Sequence, residues 1–417
     1  SPLSCQLQYI ALPAACTELQ ARSRLDRPPL LAARRFWLGA QRGARLLLAA
    51  HHLVIDGVSW RILLDDLRLG LEQLQQGRPV TLPPRTDSFR RWAAALPQLA
   101  ASPAILSELP FWLAIPLPLP LPSAEPQSPD DTLDNPAVES FVLREEDTSL
   151  LFQEAATLHA SPEEIMLAAL AWGLREWVGP RHITIELESH GRNDQVPLSE
   201  PYSAEDQRSV AEQRSVDISR TVGWFTAAFP LCLDLSQAGG PFEALRLVKE
   251  RMHALPQQGF RFGLLAAYHP NPAVREQLWQ RAFPPVSFNF LGTMFSGQLG
   301  GSQKTGAEPA GITIANEDRG PESDPRNGRS AQIDINGGVM DGELRLEFTY
   351  ASQIHPASTI RRLVEAFSDT LRCYLHTENG RAAEQVLSAT DFPLANLDQK
   401  KFAKIMTKIK QSRGKVS

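Results

Sequence analysis

His51-His52-Leu53-Val54-Ile55-Asp56-Gly57-Val58-Ser59-Trp60 is the densest run of chemistry-bearing residues in the chain. An unperturbed imidazole titrates near pH 6.5, so this pair suits general acid–base work. Neighbours on a strand point to opposite faces, which leaves one histidine for any given cavity. Asp56, at a turn, orders the loop through an ion pair or a local hydrogen bond, and Gly57 supplies a backbone conformation that other residues resist. Metal binding is the competing chemistry, yet no third ligand stands at a supporting spacing. The cysteines (Cys5, Cys16, Cys232, Cys373) form no CxxC and no zinc-like cluster with histidine. They read as free thiols in a reducing compartment.

The elements that must position the histidines are legible nearby. Leu46 to Ile55 reads as a buried strand ending at the Asp56-Gly57 turn. Trp60, Ile62, Leu63, Leu64, Leu67, Leu71 and Leu74 then recur at helical spacing, with Ser59 as the expected N-cap. Seven prolines between residues 116 and 136 predict an extended crossing or a surface loop rather than a helix or a central strand. Beyond it, a helix begins near Thr148 and a second at Ser161-Pro162-Glu163-Glu164, running to Val178. Ile183 to Glu188 alternates like a strand, as do Val286 to Leu291 and Leu344 to Tyr350, and Ala357 to Leu375 reads as a closing helix. Residues 194–217, with Gln-Arg-Ser-Val occurring twice, read as a loop, as do the polar tracts 296–310 and 317–329. The expected architecture is two α/β lobes, 1–144 (short at its start) and 145–397, followed by a basic tail at 398–417.

With 417 residues, 43% hydrophobic and 21% charged, the chain can bury a real core. Wholesale disorder, collagen and a small disulfide scaffold are excluded. A net charge of −5 without a basic stripe argues against nucleic-acid binding. No apolar run approaches the roughly 18 residues of a membrane span, and Ser1-Pro-Leu-Ser-Cys5 is no signal peptide, so a cytoplasmic location is expected.

Five blocks in order carry a family resemblance. His51 to Trp60 is similar to the HHxxxDG motif of nonribosomal peptide synthetase condensation-type domains. Its extension through Arg61-Ile-Leu resembles the epimerization branch. Leu187-Glu188-Ser189-His190-Gly191-Arg192 resembles that branch's LEGHGR segment, with Ser189 and Asn193 in place of its Gly and Glu. Thr221-Val-Gly-Trp224-Phe-Thr226 resembles VGWFT. Phe288-Asn289-Phe290-Leu-Gly292 resembles FNYLG, and Ser388-Ala-Thr-Asp391-Phe392 resembles the terminal PSDF. Gly259 to Gly263 matches a further glycine–aromatic stretch.

The resemblance implies an α+β sandwich of two chloramphenicol-acetyltransferase-like lobes in a V, with a central tunnel. A peptidyl carrier protein would present an aminoacyl or peptidyl thioester on its 4′-phosphopantetheine, and the α-carbon would be inverted from L to D without a cofactor or metal of the domain's own. His52 matches the family's catalytic histidine, and Glu188 the carboxylate that distinguishes epimerization from condensation. His51, Asp56, Gly57, Asp66, Arg192, Asn289 and Phe290 match supporting positions; Trp60 and Trp224 are tunnel-wall candidates. Phe290 stands where the family usually has Tyr. The competing readings are a condensation domain forming a peptide bond and a catalytically degenerate scaffold that docks carrier proteins. Residues 400–417 carry seven basic side chains and no acid. Phe402, Ile405, Met406 and Ile409 form one apolar stripe there, which suits a linker or a helix docking a downstream synthetase module.

Overall fold

The computed structural model describes residues 12–123, 132–133, 136–192, 216–293, 315, 317–376, 385–392, 401 and 404. Near the start, helix α1 (Leu12–Ala21) precedes an antiparallel pair, β1 (Leu31–Trp37) and β2 (Ala44–Ala50). Strand β2 ends at Ala50 rather than at the expected Ile55. The last bond toward the ladder is His51 N–H to the Leu30 carbonyl (2.8 Å). The His51 Nδ1 then accepts from the Leu53 N–H (3.2 Å) and starts a single 3₁₀ turn, His52–Val54. Helix α2 (Gly57–Gln75) follows, and its N-cap is Asp56, not Ser59. Asp56 Oδ1 accepts from the Ser59 N–H at 2.7 Å, the bond an N-cap side chain makes to the third residue of its helix.

Helix α3 (Phe89–Ala100) belongs by packing to the other part of the molecule. Trp92, Leu96, Ala100, Ile105, Trp112, Ile115 and Leu121 share one apolar core with a large sheet. The stretch from 114 to 123 runs without helix or strand, tied by Arg281 to the Ile115 carbonyl (2.6 Å) and by Arg181 to the Pro120 carbonyl (2.8 Å). The expected second crossing half, residues 124–131, lies outside the described residues.

That large sheet has six strands: β3 (Pro136–Leu143), β4 (His182–Ser189), β5 (Ala227–Asp234), β6 (Val286–Thr293), β7 (Ile333–Met340) and β8 (Glu343–Ala351). Their order is β3-β8-β7-β6-β4-β5, with β4, β6 and β7 parallel to one another and the other pairs antiparallel. Strands β3, β5 and β7 are not among the sequence expectations. Pro136 opens β3 at the sheet edge, where its missing N–H costs no ladder bond. Side-chain period two divides the sheet sharply. Ile183, Ile185, Leu187, Val286, Phe288, Ile333, Ile335, Leu344, Leu346 and Phe348 are buried on one face. Glu186, Glu188, Ser287, Asn289, Asp334, Asn336 and Glu347 occupy the other.

The apolar face is covered by helices α4 (Glu145–Thr157), α5 (Pro162–Val178), α6 (Pro241–His253) and, after α7 (Phe260–Tyr268) and α8 (Pro272–Trp279), α9 (Ala357–Leu375). Ser161 and Glu164 close a reciprocal capping box at the start of α5, as the sequence predicts. Ile165 through Ala171 of α5 are fully buried, so this helix is apolar on every side and central to the core. Fully buried Lys249 on α6 pairs with Asp391 (3.0 Å) and donates to the Leu158 and Val386 carbonyls, fastening Ser388–Asp391 to the core. The irregular tract 317–329 returns to the small sheet, where Glu317 receives both Arg42 (2.8 Å) and Arg45 (3.0 Å). Among the described residues, Cys16, Cys232 and Cys373 are free thiols, and no helix is long and apolar enough to cross a membrane. Apart from Lys401 and Lys404, the basic tail lies outside the described residues.

Candidate active site

Asp56 is almost fully buried, at 3% exposure, and every bond it makes is structural. Beyond capping α2, its carboxylate receives the Arg192 guanidinium through both oxygens (3.1 Å each) and the Phe225 N–H (3.0 Å). Arg192 also donates to Ser59 Oγ (3.0 Å) and to the Ile218 and Thr221 carbonyls (2.8 Å each), with its guanidinium 4.0 Å from the Phe225 ring centre. Ser59 in turn donates to the Gly223 carbonyl and accepts from the Gly223 N–H. Three sequence blocks thereby meet in one buried latch that joins α2 to the end of β4 and the segment 216–226. Gly191, at φ +65°, makes the approach possible: a Cβ there would lie 1.6 Å from the Phe225 carbonyl oxygen.

Beside the latch, His52 and Glu188 are both exposed and lie within electrostatic range of each other. His52 sits on the 3₁₀ turn with its ring exposed, packed edge-to-face against Trp224 at 5.4 Å. Glu188 is the penultimate residue of β4 on the polar face, and Asn289 Nδ2 donates to its Oε2 at 2.8 Å. The Glu188 side chain is open to solvent on the polar face of the sheet. Desolvation raises its pKa above the ordinary carboxylate range, the charge of Asp334 adds to that, and the imidazole of His52 pulls it back down. The structure therefore brings His52 and Glu188 within electrostatic reach of each other. Glu186, one turn of the pleat deeper on the same face, is pushed up to about 7 by burial first and then by the charges of Glu188 and Asp334.

Other expected site residues are placed as follows. His51 is turned into its own backbone, capping the 3₁₀ turn. Gly57 has no positive φ, and a Cβ on it would meet nothing within 4 Å, so it is an ordinary first helical residue and not a conformational necessity. Asp66 is taken up by Arg220, a second tie between α2 and the 216–226 segment. Trp60 is half-buried in the first turn of α2, and Trp224 is 40% exposed against His52. Asn289 joins the pair, but Phe290 does not: it lies on the opposite face of β6, among side chains packed on the core. Residues missed from the sequence are Ser59 as a latch hydroxyl and Asp334. The alternation Ile333-Asp334-Ile335-Asn336 matches that of Ile183 to Glu188 and carries the signal for Asp334. Among the described residues no group of three His, Cys, Asp or Glu is arranged to hold a metal.

The chain matches the condensation-domain family over residues 8–391. It is 33% identical over 405 residues to one of the linear gramicidin synthase proteins of Brevibacillus parabrevis, covering 95% of this chain and 7% of that protein. With tyrocidine synthase 1 of the same organism it shares 30% identity over 391 residues, covering 93% and 34%. The chain thus spans a small part of the curated relatives it matches. Among solved structures it superposes on the epimerization domain from the third module of tyrocidine synthetase B. There the TM-score is 0.73 and the identity 26%, with 88% of this chain and 76% of that chain covered. The first condensation domain of the calcium-dependent antibiotic synthetase shares the fold, at a TM-score of 0.55 and 20% identity over 87% and 72%. Both the sequence match, end to end of the described fold, and the α/β architecture make this chain a member of the condensation-domain family of nonribosomal peptide synthetases.

Proposed function

We propose that this domain inverts the α-carbon of an aminoacyl or peptidyl thioester carried on the 4′-phosphopantetheine of a peptidyl carrier protein. The observation that supports the reading is that Glu188, held by Asn289, lies within electrostatic range of His52. Inversion requires one group to take the α-proton and another to return one to the opposite face. Glu188 takes the proton from the L-substrate, the electron pair of the C–H bond passes to the thioester oxygen as an enolate, and His52 as imidazolium protonates the other face. Reversal of the roles converts D to L. Asn289 holds Glu188 in place through its amide, and Trp224 braces the His52 ring. The likeness to an epimerization domain at 26% identity supports the same reading. The working unit would be the domain with its carrier protein, one part built around the small sheet and α2 and the other around the large sheet, to which α3 and β3 belong although they precede residue 145.

Chiral analysis of a carrier-tethered aminoacyl thioester after incubation with the protein tests the proposal. A mixture of L and D product from either pure enantiomer is expected. An unchanged L-substrate, with a peptide bond formed once an acceptor aminoacyl carrier is added, would assign condensation instead.

A further inference from the structure

We infer that Asp334 is a positioning residue for proton transfer at Glu188, a fixed negative charge that strengthens Glu188 as a proton acceptor. The inference rests on the proposed role of Glu188 as the base. It starts from register. Glu186 pairs with Ser287 across β4 and β6, and Ser287 with Asp334 across β6 and β7, so the three form one row on the cleft face. Asn289 and Asn336 pair in the next row, at the level where Asn289 reaches Glu188. Strand spacing of about 4.8 Å puts the backbone of Asp334 roughly 10 Å from that of Glu186.

The Asp334 carboxylate is not free to turn away. Ser287 donates its hydroxyl to one oxygen, and Asn336 Nδ2 donates to the other at 2.8 Å. Both donors are neutral and leave the negative charge uncancelled. On this face stand Glu186 and Glu188 from β4 and Glu347 of β8, which pairs with Asn336; Arg345, two residues before Glu347 on the same face, is paired with Glu343, and Arg61 of α2 reaches the Leu291 carbonyl of β6. Strand β6 contributes Ser287 and Asn289 to this face, and β8 contributes Thr349 opposite Asp334. From the other side of the gap His52 acts on Glu188 in the opposite sense. A like charge disfavours the ionised carboxyl, so Asp334 raises the proton affinity of both glutamates. A weakly acidic α-proton is removed faster by a base of higher proton affinity. The neighbouring row thus supplies part of the basicity that an exposed glutamate lacks.

The test is the pH profile of kcat/KM for epimerisation by wild type, Asp334→Asn and Asp334→Glu. Asp334→Asn keeps the shape and removes the charge. Its acid limb should move to lower pH by roughly 0.5–1 pH unit and its plateau kcat fall about threefold to tenfold, with KM unchanged, and Asp334→Glu should restore both. An acid limb in the wild-type position would overturn the inference even if kcat fell, because a merely structural aspartate would lower turnover without moving the titration. Carbon-13 carboxyl NMR, with the Glu188 signal assigned by its loss in Glu188→Gln, reads the same titration without turnover. That arm separates the two claims. A wild type that does not epimerise defeats the proposed function, whereas an unmoved Glu188 titration in Asp334→Asn defeats the role of Asp334. Should Asp334→Asn not fold, Ser287→Ala unpins the carboxylate and should move Glu188 in the same direction by less; no movement there overturns the inference too.

Discussion

Asp56 and His52 stand four residues apart in one motif, yet they inhabit opposite physical regimes. Asp56 is 3% exposed and saturated with bonds from Ser59, Arg192 and Phe225. His52 is exposed, and its neighbours are one aromatic edge and a charge at a distance. The same split runs through the second block, where Arg192 is buried in the latch and Glu188 is exposed. Each motif thus contributes one residue to holding the parts together and one to the proposed chemistry. A buried, fully bonded pair fixes the approach of two elements, while His52 and Glu188 remain exposed, Glu188 with one side-chain bond from Asn289.

Breaking the latch should produce the largest change in stability. Asp56→Ala leaves the Arg192 guanidinium buried without its partner, and removing one member of a buried pair typically costs about 3–5 kcal/mol. Denaturant unfolding should show that loss, and epimerisation should fall with it. Glu188→Gln is the opposite case. Folding stability at neutral pH should not fall, because Gln keeps an acceptor for Asn289 and carries no charge for desolvation to disfavour, while L-to-D conversion drops by about 10²–10⁴-fold. If both variants lost stability alike, the division between holding and reacting residues would fail.

A third expectation concerns pH. The carboxyl of Glu186 is pushed up to about 7, so the folded protein holds a proton that the unfolded chain releases near pH 4.5. Its contribution to stability is complete below pH 4.5 and is lost as pH rises through about 7. Thermal melts from pH 4.5 to 7.5 should therefore show a falling component that Glu186→Gln removes; parallel slopes would contradict a half-buried, protonated Glu186 as its source. The smallest effect sharpens the placement of β6. Phe290→Tyr adds a hydroxyl to a side chain packed on the core, and an unpaired buried hydroxyl costs about 1–3 kcal/mol. Stability should drop without any gain in rate, and a faster enzyme would mean that this ring reaches the cleft.

The motif blocks were legible because chemistry constrains them locally, but their division of labour was not. Asp56 is read correctly as the loop's organiser from the sequence, since a short carboxylate before a helix has few other uses. That its partner is Arg192, 136 residues away, depends on Gly191 and Phe225 meeting, which no local pattern records. The β2 boundary is missed because Leu53 to Ile55 remain apolar while a side-chain bond from His51 bends the chain out of the ladder. Helices α5 and α9 are plain in the sequence, through a capping box and an amphipathic stripe. Phe290 is misjudged by position, since adjacent residues on a strand face opposite ways and Asn289 takes the cleft side.

The central claim is that His52 and Glu188 exchange an α-proton across the gap. Incubating an α-protonated, carrier-tethered L-aminoacyl thioester in deuterium oxide tests it most directly, by mass and chirality together. Wild type should yield D-product carrying α-deuterium, and Glu188→Gln should be slower in both inversion and deuterium uptake. Wild type that forms D-product retaining its original α-proton, or takes up no deuterium at all, would contradict the account.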